Sequence, residues 1–403
     1  MNSNDSFTKN IIIDFMDYDI IICGAGHSAV CMAALLSKRL EIKILILDTH
    51  LNKSYSSSAP KRLFAISKGS LSILQEVIKY DDLVSIGQPI NHINVIEGSS
   101  SFTLDFSPSE IQEENFGLMI REDDLYNVIK NKINDVHIEC IGIKSIDQTS
   151  NKIYLNLNDG RVITAPLLIA ADGKHSFIRK LLDIKTFNHD YKQDALVCEV
   201  EHSNHHKGYA IEKFLPSGPF AVLPRKGGYS SSIVWSIEDN LREAFLDMPI
   251  DIQHQMIKNH FPNFYDNVNI VSDLQFFKLN LQIAETPNVG RILLLGDSAH
   301  TLHPLAGQGF NLTIRDIKCL VDIISETYNL GGDIGSSIVL NRYVSERIID
   351  VTLLAESTHL LNAIFSNNSK IMKLSRGIGI TLVDKIHFLK KGCMIYALSG
   401  IEL

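Results

Sequence analysis

The sequence predicts an α/β fold in which a parallel-sheet unit is interrupted by an antiparallel, β-rich unit and followed by C-terminal helices. Residues 19–23 (DIIIC) and 42–48 (IKILILD) are continuous apolar runs, as expected of parallel strands that are covered on both faces. Between residues 190 and 237, short alternating runs are separated by Gly, Pro and Asn, which is typical of antiparallel strands. The apolar run 291–297 (RILLLGD) then returns the chain to the parallel style.

Composition limits the class of protein. The chain has 403 residues, enough for two or three packed units, and its 45% hydrophobic and 21% charged residues are ordinary for a globular enzyme. A net charge of −8 argues against general nucleic-acid binding. The six cysteines are scattered without a CxxC pair, so we expect no disulfide framework or zinc site. With no secretory signal and no run of 18 apolar residues, we expect a cytoplasmic protein.

The remaining pattern predicts the order of elements. An Asn-Asp-Gly turn at 158–160 separates two strand-like segments and favours a hairpin. Helices are expected at about 68–80, 122–133, 240–260 and 309–328, and strands at 136–157 and 167–172. We expect the parallel-sheet unit to comprise 18–185 and 270–330, the β-rich unit 186–269, and the C-terminal helical region 331–403.

The glycine-rich segment 24–29 (GAGHSA) joins the first strand to a helix. Gly24 allows a tight turn, Gly26 lets the backbone approach a pyrophosphate, and Ala29 lets helix and strand pack closely. The helix N-terminus offers free N–H groups to the phosphates, and Asp48 ends the next strand, where it can hydrogen-bond a ribose. The pattern predicts a Rossmann-like dinucleotide-binding unit. It does not choose between FAD and NAD, and a glycine turn in another α/β fold is the alternative.

Two later segments also follow apolar strands. Segment 171–179 (ADGKHSFIR) places Asp172 before a helix, although a simple turn explains it equally well. In segment 296–311 (GDSAHTLHPLAGQGFN), Asp297 can bind a polyol hydroxyl, and the turn at 307–309 frees backbone N–H groups before a long helix. His300 and His303 lie close in sequence, but no third ligand with suitable spacing accompanies them, so we expect no metal.

Together, the three segments resemble the class A flavoprotein monooxygenases, which are related to para-hydroxybenzoate hydroxylase and carry a GxGxxG, a central DG and a late GD motif in this order. Further segments are similar to the ubiquinone-biosynthesis hydroxylase branch, of the UbiH, UbiI and UbiF type. They are HPLAGQGFNL (303–312) with Arg315-Asp316, KRLFAISKGS (61–70), YKQDALV (191–197), EKFLPSGPFAVLP (212–224) and SIVWS (232–236). The resemblance covers about 18–400. Ala29 replaces the last glycine, Asp48 stands where glutamate is frequent, and Thr313 stands where Gly or Ala is frequent, which narrows the space near the helix start.

The resemblance implies FAD as the cofactor, held by all three segments and by an arginine of segment 61–70. The implied cofactor-binding residues are Gly24, Gly26, Ala29, Asp48, Arg62, Arg121, Asp172, Gly296, Asp297, Pro304, Gly307, Gln308, Gly309 and Asn311. For Arg121, a surface salt bridge is an equal alternative. The resemblance assigns no catalytic acid or base.

The implied activity is hydroxylation of an aromatic ring. In this family NAD(P)H reduces FAD, the reduced flavin and O2 give a C4a-hydroperoxide, and an electron-rich phenol attacks it. The implied substrate is a polyprenylphenol of ubiquinone biosynthesis, with other proteins of that pathway as partners. Three alternatives stay open: a hydroxylase of another phenol, an FAD-dependent reductase of isoprenoid lipids, and a non-catalytic scaffold in a biosynthetic complex.

The C-terminal region has a basic amphipathic pattern. Between 370 and 391 there are six basic residues and one acidic residue, Asp384, interleaved with apolar residues. The basic residues are Lys370, Lys373, Arg376, Lys385, Lys390 and Lys391. Such a surface can bind anionic lipid and place the protein at the inner face of the cytoplasmic membrane. A solvated face over an apolar core is the alternative.

Overall fold

The predicted parallel sheet is present in the computed structural model, which describes residues 16–50, 59–98, 103–133, 135–262, 264–304, 307–365 and 386–400. The sheet has six strands, and all neighbours are parallel except the first pair. In spatial order they are β20 (Asn288–Val289), β21 (Ile292–Leu294), β13 (Leu167–Ala170), β2 (Ile20–Cys23), β3 (Ile44–Asp48) and β9 (His137–Cys140).

Both faces of this sheet are covered, which explains its continuous apolar runs. Ile20 and Ile22 point into a core shared with helices α1 (His27–Arg39), α4 (Glu122–Lys130) and α8 (Gly309–Asn329). Ile21 and Cys23 point to the opposite face, toward a four-stranded sheet. That sheet contains β1 (Met16–Asp17), β12 (Val162–Ala165), β11 (Ile153–Leu157) and β10 (Ile143–Gln148), in this order. The Asn-Asp-Gly turn connects β11 to β12, as predicted.

A large, mainly antiparallel sheet forms the β-rich layer. Its path is β22 (His300–Thr301), β19 (Gln275–Ala284), β14 (Thr186–Glu201), β17 (Ser230–Glu238), β16 (Gly218–Pro224), β15 (Tyr209–Leu215), β6 (His92–Glu97) and β7 (Thr103–Phe106), with β18 (Asn269–Ile270) beside β14. Its outer face carries buried residues such as Trp235 and Phe220, in a core that also holds residues of α6 (Asp239–Leu246) and α7 (Ile250–Lys258).

Two parts of this sheet come from outside the expected 186–269 segment. Strand β6 pairs in parallel with β15, and β19 pairs along most of β14. An edge strand can form hydrogen bonds with any segment that lies beside it. The distance between two strands along the sequence therefore does not show whether they pair. The division into units stays a prediction, but the hydrogen-bonded sheet is larger than segment 186–269.

A small antiparallel sheet connects these layers. It contains β4 (Leu63–Ser67), β8 (Gly117–Arg121) and β5 (Gly87–Pro89). The helix expected at 68–80 is instead two helices, α2 (Lys68–Leu74) and α3 (Tyr80–Ile86), and α5 (Phe177–Leu181) follows the DG segment. Acidic Asp81 and Asp82 in the first turn of α3 favour a new helix start there.

The C-terminal helices are α9 (Ser337–Phe365) and α10 (His387–Ser399). Helix α9 packs along α8, and α10 packs on α2 and on the short turn Pro108–Ile111. Most of the basic amphipathic segment, 370–385, lies outside the described residues. Among the helices that the structure describes, none combines the length and the apolar character needed to cross a membrane. The predicted α/β architecture with C-terminal helices is confirmed.

Candidate active site

The three motif segments meet at one edge of the parallel sheet. Strands β2, β13 and β21 are neighbours that run in the same direction, so the turns that follow them emerge side by side. Gly24 has φ +98°, and a methyl group there would lie 2.3 Å from the carbonyl oxygen of Ala171. Gly296 has φ +63°, and a methyl group there would lie 2.9 Å from Ser28 Oγ and 3.0 Å from Thr313 Cγ2. The segments therefore approach closely because glycine occupies these positions.

The glycine turn is held in place by Asp48. The Ala25 N–H donates to Asp48 Oδ2 at 2.7 Å, and the His50 N–H donates to Asp48 Oδ1 at 2.8 Å. Gly26 is the N-cap of α1, which has no side-chain cap and no acidic residue in its first turn. A methyl group at Gly26 would meet no other atom within 4 Å, and Ala29 is fully buried. The helix thus presents its N-terminal N–H groups beside a position where small size leaves room for a phosphate.

The DG segment contributes a carboxylate and a structural arginine. Asp172 Oδ2 accepts from the Ile178 N–H at 3.0 Å, whereas its buried Oδ1 has no hydrogen-bond partner within the described residues. Arg179 donates to the carbonyls of Ser298 at 2.6 Å and Lys174 at 2.7 Å. This buried guanidinium ties the DG segment to the GD segment, and burial lowers its pKa.

The GD segment begins with a short 3₁₀ turn, Gly296–Ser298. In the part of the chain that the structure describes, no group hydrogen-bonds to the carboxylate of Asp297, which keeps both oxygens available to hydroxyl donors. Lys174 is close enough for electrostatic contact: burial lowers the pKa of Lys174, and Asp297 opposes that shift. The side chain of Ser298 donates to the Ala170 carbonyl at 2.6 Å and fixes the turn to β13.

The turn before α8 lies against strand β4. Gly307 has φ +62°, its N–H donates to the Pro304 carbonyl at 2.9 Å, and a methyl group on it would lie 3.3 Å from Ala65 Cβ. Asn311 donates to the Ala65 carbonyl at 2.8 Å and accepts from the Ser67 N–H at 3.0 Å. The amide of Asn311 therefore binds β4. Gln308 points away, to the Ala397 carbonyl at 3.3 Å.

The two arginines proposed for the cofactor lie near each other but differ in their partners. In the β4–β8 ladder Arg121 pairs with Leu63, and Arg62 is the residue directly before Leu63. The Arg62 guanidinium lies 5.0 Å from the centre of the Phe64 ring, and within the described residues no carboxylate pairs with it. Arg121 is 41% exposed and lies 3.6 Å from Asp123 and 3.8 Å from Asp124. The surface salt bridge considered from the sequence is present for Arg121.

The family model described as "FAD binding domain" matches residues 17–356, which include this whole edge. The chain belongs to this FAD-binding family. Among curated relatives, ubiquinone hydroxylase UbiL of Rhodospirillum rubrum is 29% identical, with 96% of this chain and 90% of that protein covered. Ubiquinone hydroxylase UbiM of Neisseria meningitidis is 26% identical, covering 93% and 83%. The resemblance to ubiquinone-biosynthesis hydroxylases is confirmed.

A solved structure shows the same fold. The p-nitrophenol 4-monooxygenase PnpA of Pseudomonas putida aligns with a TM-score of 0.79 over 96% of this chain and all of that one, at 15% identity. The fold is thus retained at low sequence identity.

The edge of this FAD-binding chain fits the cofactor on three structural observations. The α1 N-terminus and Gly26 suit the pyrophosphate, the carboxylate of Asp297 suits the ribityl hydroxyls, and the uncapped start of α8 suits a carbonyl-bearing edge of the flavin ring. The unsatisfied Oδ1 of Asp172 faces a buried setting in which a hydroxyl or N–H donor would stabilise it. These individual residue roles stay predictions.

Sequence reasoning missed a buried ionic network behind the α8 start. Asp316 accepts from His300 at 2.6 Å and from Arg347 at 2.6 Å, and Asp350 links Arg347 to Arg315. Burial alone would raise the pKa of Asp316, but Arg347 and His300 lower it. The Arg315-Asp316 pair in the family-like segment was the available signal. Within the described residues, no His, Cys, Asp and Glu cluster can hold a metal ion.

Two histidines that were not among the predicted cofactor-binding residues, His27 and His303, also lie at the site. His27 begins α1, contacts the Glu122 carbonyl at 2.9 Å, and packs edge-on against Phe64 and Phe310. His303, directly before Pro304, packs edge-on against Tyr191, and burial lowers its pKa to about 4. Burial also lowers the pKa of His27, although Glu122 opposes this shift. The His303 ring is therefore predominantly neutral at pH 7, which suits a packing role beside the turn.

Proposed function

We propose that this protein is an FAD-dependent monooxygenase that hydroxylates the aromatic ring of a polyprenylphenol in ubiquinone biosynthesis, with NAD(P)H and O2 as co-substrates. The observation that carries the proposal is an apolar sheet face opposite the Gly307 turn. Ala65, which touches that turn, shares one hydrophobic cluster with Ala210 of the large sheet and with Met394 and Leu398 of α10. Apolar surroundings beside that turn suit a lipid-like phenol better than a charged aromatic acid.

Bound FAD supplies the redox chemistry, by accepting a hydride from a nicotinamide and transferring electrons to O2. The chain supplies position and electrostatics. The start of α8 offers free N–H groups and a partial positive charge, which would stabilise the negative charge of a reduced flavin. The apolar cluster excludes water from the reacting atoms.

The first experiment is an absorption spectrum of the purified protein, with release and identification of the chromophore. Stoichiometric FAD is the expected result. NADH and NADPH oxidation are then measured with a short-chain prenylphenol and with 4-hydroxybenzoate, and the products are identified by mass spectrometry. The proposal requires a hydroxylated prenylphenol that carries one atom from ¹⁸O2. Preferential hydroxylation of the soluble acid would reassign the substrate, and FAD reduction without oxygen incorporation would favour the reductase alternative.

We also propose that the protein acts at the membrane surface, where its substrate resides. Helix α10 exposes Phe388 (83%) and Ile395, which are seven residues apart on one helix face, and α9 exposes Leu353 and Leu360. Lys390 does not belong to a lipid-facing set, because it is buried and its Nζ lies 3.0 Å from Glu110. Binding of the holoenzyme to vesicles containing phosphatidylglycerol should weaken in a Phe388→Ser/Ile395→Ser variant and not in Ile338→Ser, which removes an exposed residue elsewhere.

A further inference from the structure

A single carboxyl group interrupts an otherwise apolar row on the inner face of the large sheet. The register of six adjacent strands aligns one residue from each. In spatial order they are Val197, Val234, Ala221, Glu212, Val95 and Leu104. Directly paired residues point to the same face of a sheet, so these six side chains form one row, which we call the inner row.

The inner row is only partly buried. Val197, Val234, Val95 and Glu212 keep part of their surface accessible, whereas Ala221 and Leu104 are buried, as are outer-face neighbours such as Trp235, Phe220 and Val222. The orientation is independently fixed by Lys213, which follows Glu212 and reaches the His260 carbonyl beyond α7 on the outer face. Glu212 therefore points to the inner face, where part of its surface stays accessible.

No group in the described segments neutralises this carboxyl. In the described part of the chain, no group hydrogen-bonds or ion-pairs with Glu212. Burial raises the pKa of Glu212 to about 8, and it is the sole cause of the shift. The nearest acidic residues on this face are Glu97, two residues after Val95 on β6, and Glu199 of β14, which forms an ion pair with Arg225. The cluster residues contributed by β4, β8 and α10 are Leu63, Ala65, Met119, Met394 and Leu398, none of which titrates.

Glu212 shares its strand with a residue of the cluster beside the Gly307 turn. Ala210, two residues before it on β15, packs in the cluster that contains Ala65, and Ala65 touches Gly307. Two residues along a strand span about 7 Å, roughly the width of one aromatic ring and its hydroxyl. A phenol between the turn and the inner row would thus have its ring beside the turn and its hydroxyl within reach of Glu212.

We propose that Glu212 is the catalytic base that removes the proton from the phenolic hydroxyl of the substrate. This inference rests on the proposed function, because it requires a phenol beside the inner row. The phenolic O–H bond breaks, a carboxylate oxygen of Glu212 takes the proton, and the electron pair stays on the phenolate, which makes the ring carbons ortho and para to it more electron-rich. A phenol ionises near pH 10, so a base with a pKa close to 8 is better matched to it than an ordinary glutamate near 4.3.

The test compares wild-type holoenzyme with Glu212→Gln, which keeps the shape of the side chain but cannot take a proton. The first readout is independent of turnover: the infrared difference spectrum of the oxidised holoenzyme with bound 2-geranylphenol, from pH 6 to 9.5. Because the carboxyl is more acidic than the phenol, it loses the first proton of the pair, so the wild-type complex should lose a carboxylic-acid C=O band with a midpoint near 8. The Glu212→Gln complex should show no such loss over this range. The kcat of the wild type should rise through the same midpoint, and the variant should lose about 10²-fold or more in kcat with no inflection.

Glu201→Gln is the matched control, because Glu201 is an exposed glutamate of the same sheet, and it should match the wild type in both readouts. Glu212→Asp should retain a pH-dependent carboxylic-acid band. Identical pH profiles in wild type and Glu212→Gln, at equal FAD content, would overturn the role of Glu212 and leave the proposed function intact. Failure of the wild type to bind or hydroxylate any prenylphenol would overturn both.

Discussion

The FAD-binding edge and the inner row of the large sheet differ in the chemical groups that form them. At the edge, Gly24, Gly26 and Gly296 shape the backbone, and N–H groups at helix starts supply the polarity. At the inner row, side chains from six strands supply the surface, and one carboxyl, Glu212, supplies the polarity. A site formed by the backbone depends on glycines that larger residues cannot replace. A site formed by side chains can be reshaped by one substitution.

This difference accounts for the division of labour in the proposed reaction. The cofactor is the same for the whole family, so its site can rest on backbone geometry that tolerates little variation. The substrate differs among enzymes that share the fold, and its site lies on a sheet face where alternate residues are free to vary. The two regions meet where Gly307 touches Ala65.

The largest expected effect tests the support shared by both regions, helix α8. Asp316→Asn would leave Arg347 and His300 in a buried site without a full counter-charge. We expect the free energy of unfolding to fall by about 3–5 kcal/mol, measured by urea denaturation at pH 7. Because the pKa of Asp316 is lowered in the folded state, its contribution is present above the unfolded-state pKa near 3.9 and is lost as the pH falls below it.

Asp322→Asn is the control on the same helix. Asp322 pairs with Arg39 and Lys318 at the surface, where such pairs contribute about 0–1 kcal/mol. Equal losses in the two variants would show that the buried network contributes no more than a surface pair.

The next prediction separates the two roles of glycine at the FAD edge. Gly24→Ala places a methyl group 2.3 Å from the Ala171 oxygen at a positive φ, so both stability and FAD content should fall, the strain alone costing about 1–3 kcal/mol. Gly26→Ala meets no atom within 4 Å and has φ −76°, so the apoprotein should keep its melting temperature. Its affinity for FAD, measured by flavin fluorescence quenching, should nevertheless fall. An unchanged FAD affinity in Gly26→Ala would place the pyrophosphate elsewhere.

The sequence carried enough information for the FAD edge because its signals are local. A buried strand, a glycine turn and a helix follow one another within 20–39, and each element constrains the next. Asp48 ends a strand of the parallel sheet, and Asp172 and Asp297 follow strands of the same sheet, so each was indicated by its place at a strand end.

The inner row could not be predicted in this way. Val95 lies beside Glu212 only because β6 joins β15 in a parallel pairing between segments more than 100 residues apart. The same applies to the pairs of Asp316 with Arg347 and of Arg179 with the Ser298 carbonyl. Such contacts depend on register and helix packing, and neither is written in a local pattern.

A third prediction exploits the two faces of strand β16. Ala221→Leu adds bulk to the inner row beside Glu212, whereas Val222→Leu adds bulk to the closely packed outer core. We expect Ala221→Leu to lower kcat/KM for the prenylphenol by about 10²-fold, through displacement of the ring, with little change in stability or FAD content. Val222→Leu should instead cost about 1–3 kcal/mol of stability and leave kcat/KM within a factor of three of the wild type. Destabilisation by Ala221→Leu without a kinetic effect would mean that the inner row is packed core.

The smallest expected effects decide between two neighbouring arginines at the boundary of the FAD edge. Arg62 lies over Phe64 with no carboxylate partner in the described structure, whereas Arg121 is balanced by Asp123 and Asp124. An unbalanced guanidinium is the better ligand for a phosphate or a flavin carbonyl, because binding does not first require an ion pair to break. We therefore expect Arg62→Met to weaken FAD binding about tenfold, and Arg121→Met to change it less than threefold and stability by less than about 1 kcal/mol. The reverse order of FAD affinities would show that Arg121 leaves its surface aspartates when the cofactor binds.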